Sequence, residues 1–215
     1  MSKLQDAIDE YNAAKKEKMP AEVLDTMARA TTELKNTGIE NRALHKGDTM
    51  PDFSLPNQHG EMRNFSDFLK QSTVVLNIYR GGWCPYCNFE MKALANALPD
   101  IEAAGARLIG MAPETPDHAL ETANRHDIGI EILSDTGNEV SEKLGLVFNL
   151  AEELRPIYLN AGLDIPAYNG DDSFKLPVPA TYIIGSDGII KTGFVNADYT
   201  QRMEPEEIVK ALREE

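Results

Sequence analysis

The chain has 215 residues, of which 42 % are hydrophobic and 26 % charged, a balance that suits one domain with an extension and excludes a disordered chain. Its formal net charge of −14 at pH 7 repels phosphate backbones and anionic lipid, so neither nucleic acid nor a membrane surface is an expected partner. No segment has the apolar core of a signal peptide or the length of a membrane span, and the expected location is cytoplasmic, where a pair of cysteines is more often catalytic or metal-binding than a structural staple.

Residues 3 to 36 read as two helices, because Leu4, Ile8 and Tyr11 share one face and Val23 or Leu24, Met27, Thr31 and Leu34 another. Pro20 fits the first turn of the second helix and Gly38 its end. Residues 1–45 are thus expected to form an N-terminal helical extension, and residues 46–215 the main domain. The extension's apolar stripe suits either a homodimer interface or packing on that domain.

PDFSLPNQHGEMRNF reads as an edge hairpin turning at Asn57 to Gly60, followed by a short helix capped by Ser66 and ending near Leu69. Thr73 to Tyr79 has the β-branched and aromatic content of a buried central strand, and it runs into Arg80-Gly81-Gly82. From Asn88 onward Phe89, Met91, Leu94, Ala95 and Leu98 recur at helical spacing. A second unit follows, with a strand over 106–112, a helix from Thr115-Pro116 to His126, a short strand at Glu131-Ile132-Leu133 and a helix from Asn138 to Leu144. A helix is expected from Leu150 to Leu159, and a long loop over 160–178 that either covers a site or is a plain surface excursion. Two strands joined at Ser186-Asp187-Gly188 and a helix from Pro205 to Leu212 complete an α/β chain with a largely parallel sheet covered on both faces.

The only cysteines, Cys84 and Cys87, stand in RGGWCPYCNFEM, where the central strand hands over to a helix. A zinc site needs four ligands, and none of His45, His59, His118 and His126 lies at ligand spacing, so neither a metal nor another cofactor is expected. Two inert core cysteines are an alternative. A redox couple fits the position better, because a helix N-terminus stabilises a thiolate and one helical turn brings the second sulfur within disulfide reach.

PDFSLPNQHG, VVLNIY, ILSDTGNEVSEKLGL and PATYIIGSDGIIK, spread between Gly47 and Leu212, resemble the peroxiredoxin-like branch of the thioredoxin superfamily, the alkyl hydroperoxide reductase and thiol-specific antioxidant group. The resemblance implies a thioredoxin-like fold, a central mixed sheet flanked by helices. In the register of that family's P-x-x-x-T-x-x-C motif, Arg80 stands at the proline, Cys84 at the threonine and Cys87 at the peroxide-attacking cysteine. The family's arginine before A-T-F-V-I is also replaced, the matching residues being Pro179-Ala180-Thr181-Tyr182. WCPYC is similar instead to thioredoxin and glutaredoxin, which implies that Cys84 is an exposed nucleophile, Cys87 its resolving partner and Pro179 the facing cis-proline. The two registers name different attackers.

Two readings stand for each supporting residue. Arg80 is a cation beside the thiolate or a surface arginine paired with a carboxylate; Trp83 packs beside the nucleophile as part of a docking surface or covers the sheet edge. The resemblance implies a thiol-dependent peroxidase for hydrogen peroxide or alkyl hydroperoxides, cycling through Cys84 and Cys87 and restored by a thioredoxin-like or small-molecule thiol. Thiol–disulfide exchange is the alternative, and a non-redox binding protein on the same fold a further one.

Overall fold

The chain is described by a computed structural model over residues 3–126 and 129–214, the side chain of His126 excepted. In chain order the elements are α1 (Leu4–Lys18), α2 (Ala21–Asn36), α3 (Ile39–Arg42), β1 (Ser54–Pro56), β2 (Met62–Asn64), α4 (Phe65–Leu69), β3 (Thr73–Ile78), α5 (Pro85–Ala103), β4 (Ala106–Ala112) and α6 (Pro116–His126). There follow β5 (Glu131–Ser134), α7 (Glu139–Lys143), β6 (Val147–Asn149), α8 (Leu154–Asn160), α9 (Ile165–Asn169), β7 (Lys175–Pro177), β8 (Ala180–Ile184), β9 (Ile190–Val195) and α10 (Pro205–Arg213).

The main sheet has the order β5-β4-β3-β8-β9. The β3–β4 and β4–β5 pairs are parallel and the β3–β8 and β8–β9 pairs antiparallel. It is therefore a mixed sheet, parallel only on the side whose connections are helical. β3 lies at its centre with Val74 through Ile78 buried, which explains the unbroken apolar run apart from Asn77. Successive side chains still alternate between two cores. Val75 and Tyr79 join Leu4, Ile8, Cys84, Cys87, Met91, Leu94 and Ile208 on one face, whereas Val74, Leu76 and Ile78 join Phe53, Phe65, Phe68 and Ile39 on the other.

Several local expectations are corrected. Asn64 is the cap position of α4; Ser66 lies inside the helix and its N–H donates to Asp52 Oδ1 at 2.9 Å, so a distant carboxylate takes the donor a cap would have satisfied. α8 begins at Leu154, because the extended chain of β6 continues to Leu150, whose N–H donates to the carbonyl of Phe174. The stretch 160–178 contains α9, started by Asp164 accepting from the Ala167 N–H, and β7, paired antiparallel with β6. Pro20 stands one residue before α2.

α1 buries Leu4 and Ile8 in the cysteine-side core, while α2 leaves Met27, Ala30 and Leu34 only partly covered. The main domain also grips the N-terminal segment through its backbone: the Leu44 N–H donates to the Leu144 carbonyl at 3.2 Å. Beside that bond, Gly145 has φ +74° and a Cβ there would lie 2.3 Å from the Arg42 carbonyl oxygen. Gly145→Ala should therefore destabilise the protein by more than ~1 kcal/mol, seen as a lower urea midpoint at unchanged m-value.

Candidate active site

The site is built where β3 ends. The Tyr79 N–H still donates to Met111, after which the chain leaves the sheet through Arg80, Gly81 and Gly82. Gly81 has φ +143°, and a Cβ there would meet the Trp83 ring nitrogen at 2.3 Å. Gly82 is held from three sides: its N–H donates to Glu114 Oε1 at 2.7 Å, and its carbonyl accepts from Asn88 Nδ2 and Arg125 Nη1, each at 3.0 Å. A side chain there would run into Thr122, with a Cβ only 1.9 Å from its hydroxyl oxygen. This fixed turn delivers Cys84 to the cap position of α5, with Pro85 in the first helical turn, where a missing N–H costs nothing.

Both cysteines are free thiols and both are buried, Cys84 at 2 % and Cys87 at 0 % exposure. The exposed nucleophile that the thioredoxin likeness implies is thus not found, because the turn is packed among aromatic side chains. The two sulfurs are nevertheless unequal. Burial pushes the Cys84 thiol up, but the hydrogen bond from the Cys87 thiol, the charges of Arg80 and Arg202 and the Cys87 backbone N–H outweigh it and bring the thiol below its ordinary range. Cys87 is driven up by burial and by donating to Cys84. One proton is shared in a way that leaves the negative charge on Cys84.

Arg80 is 2 % exposed and makes no ion pair with a carboxylate among the described residues. Its Nη2 donates to the Tyr158 hydroxyl at 3.0 Å, and its guanidinium lies over the rings of Trp83, Tyr158 and Tyr199 at 5.0, 5.8 and 4.7 Å. It is therefore a buried cation beside the thiolate, not a surface arginine. Trp83 is 6 % exposed and packs against Tyr158, with no face left for docking. Pro179 lines a cavity with Arg80, Tyr158 and Tyr199, but its peptide bond is not cis, since no cis bond occurs among the described residues. The strand β8 begins immediately after it, so Pro179 acts as an ordinary entry to an extended segment.

Three charged residues belong to the site and escape sequence reasoning. Arg202, before α10, is buried; its Nε donates to Glu90 Oε2 at 2.8 Å and its Nη2 lies 3.8 Å from the Cys87 sulfur. Glu90 is raised by burial, against the opposing pull of Arg202. Its signal was present in the sequence: it falls one helical turn after Cys87, on the stripe that Met91 and Leu94 continue. Glu114, wholly buried behind the turn, is pushed up to about 7 by burial, opposed by bonds from Gly82, Tyr79 and Thr122. Of the four histidines weighed as ligands, His118 contacts Thr115 and the Tyr168 ring instead, and the His126 side chain lies outside the described residues.

The N-terminal helix reaches the same turn. The Tyr86 hydroxyl donates to Asn12 Oδ1 at 2.7 Å, Lys15 Nζ lies 3.4 Å from that hydroxyl, and Tyr11 meets the Tyr86 ring edge-on at 5.3 Å.

A mixed five-stranded sheet flanked by helices, its central strand running into a helix that starts at a C-x-x-C turn, defines a thioredoxin-like fold. The AhpC/TSA family profile matches residues 46–192, and the chain belongs to that family. Peroxiredoxin Bcp of Escherichia coli is 30 % identical over 103 residues, 48 % of this chain and 65 % of that protein. The 1-Cys peroxiredoxin PER1 of Hordeum vulgare is 26 % identical over 167 residues, 77 % of this chain and 70 % of that one. Among solved structures, peroxidoxin BcpB from Mycobacterium tuberculosis matches with a TM-score of 0.63 at 20 % identity, covering 80 % of this chain and 97 % of that chain, a likeness of fold. The chain spans a little under two thirds of the Escherichia coli relative, and the family match stops before Arg202 and α10.

Two outcomes test the electrostatics. Arg202→Met leaves Glu90 buried without its counter-charge and should cost about 3–5 kcal/mol in urea unfolding, most of it regained in Glu90→Leu/Arg202→Met. Because the Cys84 thiol is lowered, its alkylation by iodoacetamide should stay flat from neutral to alkaline pH and fall only on acidification; Cys87→Ala, which removes the donated S–H, should move that fall to higher pH.

Proposed function

We propose that the chain is a thiol-dependent peroxidase in which Cys84 attacks and Cys87 resolves. The observation that carries the reading is a buried cysteine pair at the start of α5 with two buried arginines around it, Arg80 held by Tyr158 and Arg202 3.8 Å from the Cys87 sulfur; the attacking role goes to Cys84 because its thiol is the one brought down. Family membership supports the reaction class, and both cysteines fall within the matched residues 46–192.

In the first step the Cys84 thiolate attacks a peroxide oxygen and the O–O bond breaks. The leaving oxygen takes a proton and departs as water or an alcohol, and Cys84 becomes a sulfenic acid. Arg80, held among aromatic rings, stabilises the negative charge first on sulfur and then on the leaving oxygen, the role open to a preorganised buried cation. Cys87 sulfur then attacks Cys84; its thiol proton leaves with the sulfenic hydroxyl as water, and a disulfide forms. Two electrons from a thioredoxin-like or small-molecule thiol restore the dithiol, an economy suited to a cytoplasmic protein.

A second reading, thiol–disulfide exchange, is favoured by one feature: Cys84 occupies the position of the family's threonine, whose hydroxyl is therefore missing. Stopped-flow oxidation by hydrogen peroxide, followed by Trp83 fluorescence, separates the two. Reduced wild type and Cys87→Ser should be oxidised at least ~100-fold faster than a free thiol, and Cys84→Ser at no more than the free-thiol rate. Oxidation of wild type at the free-thiol rate would assign disulfide exchange; fast oxidation surviving only in Cys84→Ser would exchange the two roles.

A further inference from the structure

A cavity of about 400 Å³ opens between α2 and the stretch from β6 to α8, and it ends on Arg80. Much of its wall is apolar, with Leu34 and Ile39 on one side and Leu150, Leu154, Val178 and Pro179 on the other. The charged lining residues Glu33 and Arg42 are exposed and so stand at the mouth. Of the other polar lining residues, Thr37 and Asn149 are exposed as well, the half-buried Thr31 hydroxyl donates to the Met27 carbonyl, and the Tyr158 and Tyr199 side chains lie against Arg80.

Arg80 itself is incomplete. A guanidinium has five N–H donors, and a buried cation is costly unless it is paired and hydrogen-bonded. Here one hydrogen bond is made, to Tyr158, while Nε is buried with no acceptor. The aromatic rings satisfy the faces of the guanidinium but accept nothing at its edge. In a chain of net charge −14 this cation has been left without a carboxylate, beside a cavity with room for one and for an apolar body behind it.

We infer that this cavity binds a small carboxylate with an apolar body, its carboxylate seated on the edge of the Arg80 guanidinium, and that such a ligand lowers the reactivity of Cys84. A carboxylate matches the planar fork of arginine, whereas a phosphate would bring two charges and a hydration shell to a cavity whose one buried cation among the described residues is Arg80. The coupling is electrostatic. Thiolate and carboxylate compete for one guanidinium, and the added negative charge favours the protonated thiol. The remaining charged and titratable groups around Cys84, Lys15 and Tyr11 from α1, Tyr86 and Glu90 from α5, Tyr158, Tyr199 and Arg202, stay in place and fix the size of the effect. The inference concerns an intrinsic property of the thiol and stands independently of the peroxidase reading.

The test uses the reduced full-length protein, octanoate as the probe and iodoacetamide alkylation of Cys84 at neutral pH, with Trp83 fluorescence as a parallel signal. Saturating octanoate should slow alkylation about fivefold or more, with a fluorescence change of the same midpoint, and octanol should leave the rate unchanged. Ala151→Phe narrows the cavity away from the cysteine turn; without octanoate it should alkylate at the wild-type rate, and with octanoate it should not respond. If that variant does not fold, Thr31→Phe on the α2 wall takes its place. No response to octanoate up to ~10 mM, an equal response to octanol, or an intact response in the narrowed cavity would each overturn the inference.

Discussion

The structure turns on the pairing of a buried arginine with a sulfur that can lose its charge. Arg80 and Arg202 are both withdrawn from solvent, yet only Arg202 has a carboxylate, Glu90, to balance it. Arg80 has no carboxylate partner among the described residues, and the charge of Cys84 acts on it, so the guanidinium and the thiolate depend on each other. The fold supplies the rest of the environment by geometry: β3 stops, two glycines turn the chain in a space closed to any larger residue, and Cys84 stands at the N-terminus of α5, where the Cys87 N–H faces its sulfur. A small change at the turn is therefore felt by a buried charge pair, where water cannot screen it.

This arrangement also accounts for the departure from the AhpC/TSA sequence pattern. A proline and a threonine are replaced by Arg80 and Cys84, and the arginine expected before A-T-Y is replaced by Pro179. The cation has not been lost from the site. Arg80 stands at the end of the central strand, four residues ahead of the first cysteine, where Trp83, Tyr158 and Tyr199 hold it. Placing a cysteine at the threonine position then gives each sulfur a neighbour one helical turn away, so a disulfide needs no third cysteine from elsewhere in the chain.

What the sequence disclosed follows from how local each feature is. The central strand was legible because Val74, Val75, Leu76, Ile78 and Tyr79 crowd β-branched, aliphatic and aromatic side chains around one Asn77, and the dithiol because C-x-x-C stands between a strand pattern and a helix pattern. α9 was hidden by its own composition: Pro166, Gly170 and the neighbouring aspartates read as loop, although Asp164 followed by Ile165-Pro166 is a cap and first turn. The burial of Cys84 and Arg80 was not legible, since it is set by Tyr158, Tyr199 and α1, all remote in sequence. Arg202 and Glu114 belong to the same class. A charged residue in a connection is read as solvated until the packing of α10 against α5, or the return of the chain after β4, encloses it.

The N-terminal helices give the last step of the argument. They lie outside the region matched by the family, yet Leu4 and Ile8 share a core with both cysteines, and Asn12 accepts from the hydroxyl of Tyr86, one of the two residues between them. A hydrogen bond from inside the C-x-x-C sequence to α1 makes the geometry of the dithiol depend on a segment that the family pattern does not contain. α2 adds a wall to the cavity that ends on Arg80. The common fold thus fixes where the sulfurs sit, while the added helices pack against the turn that holds them and wall the cavity that Arg80 lines.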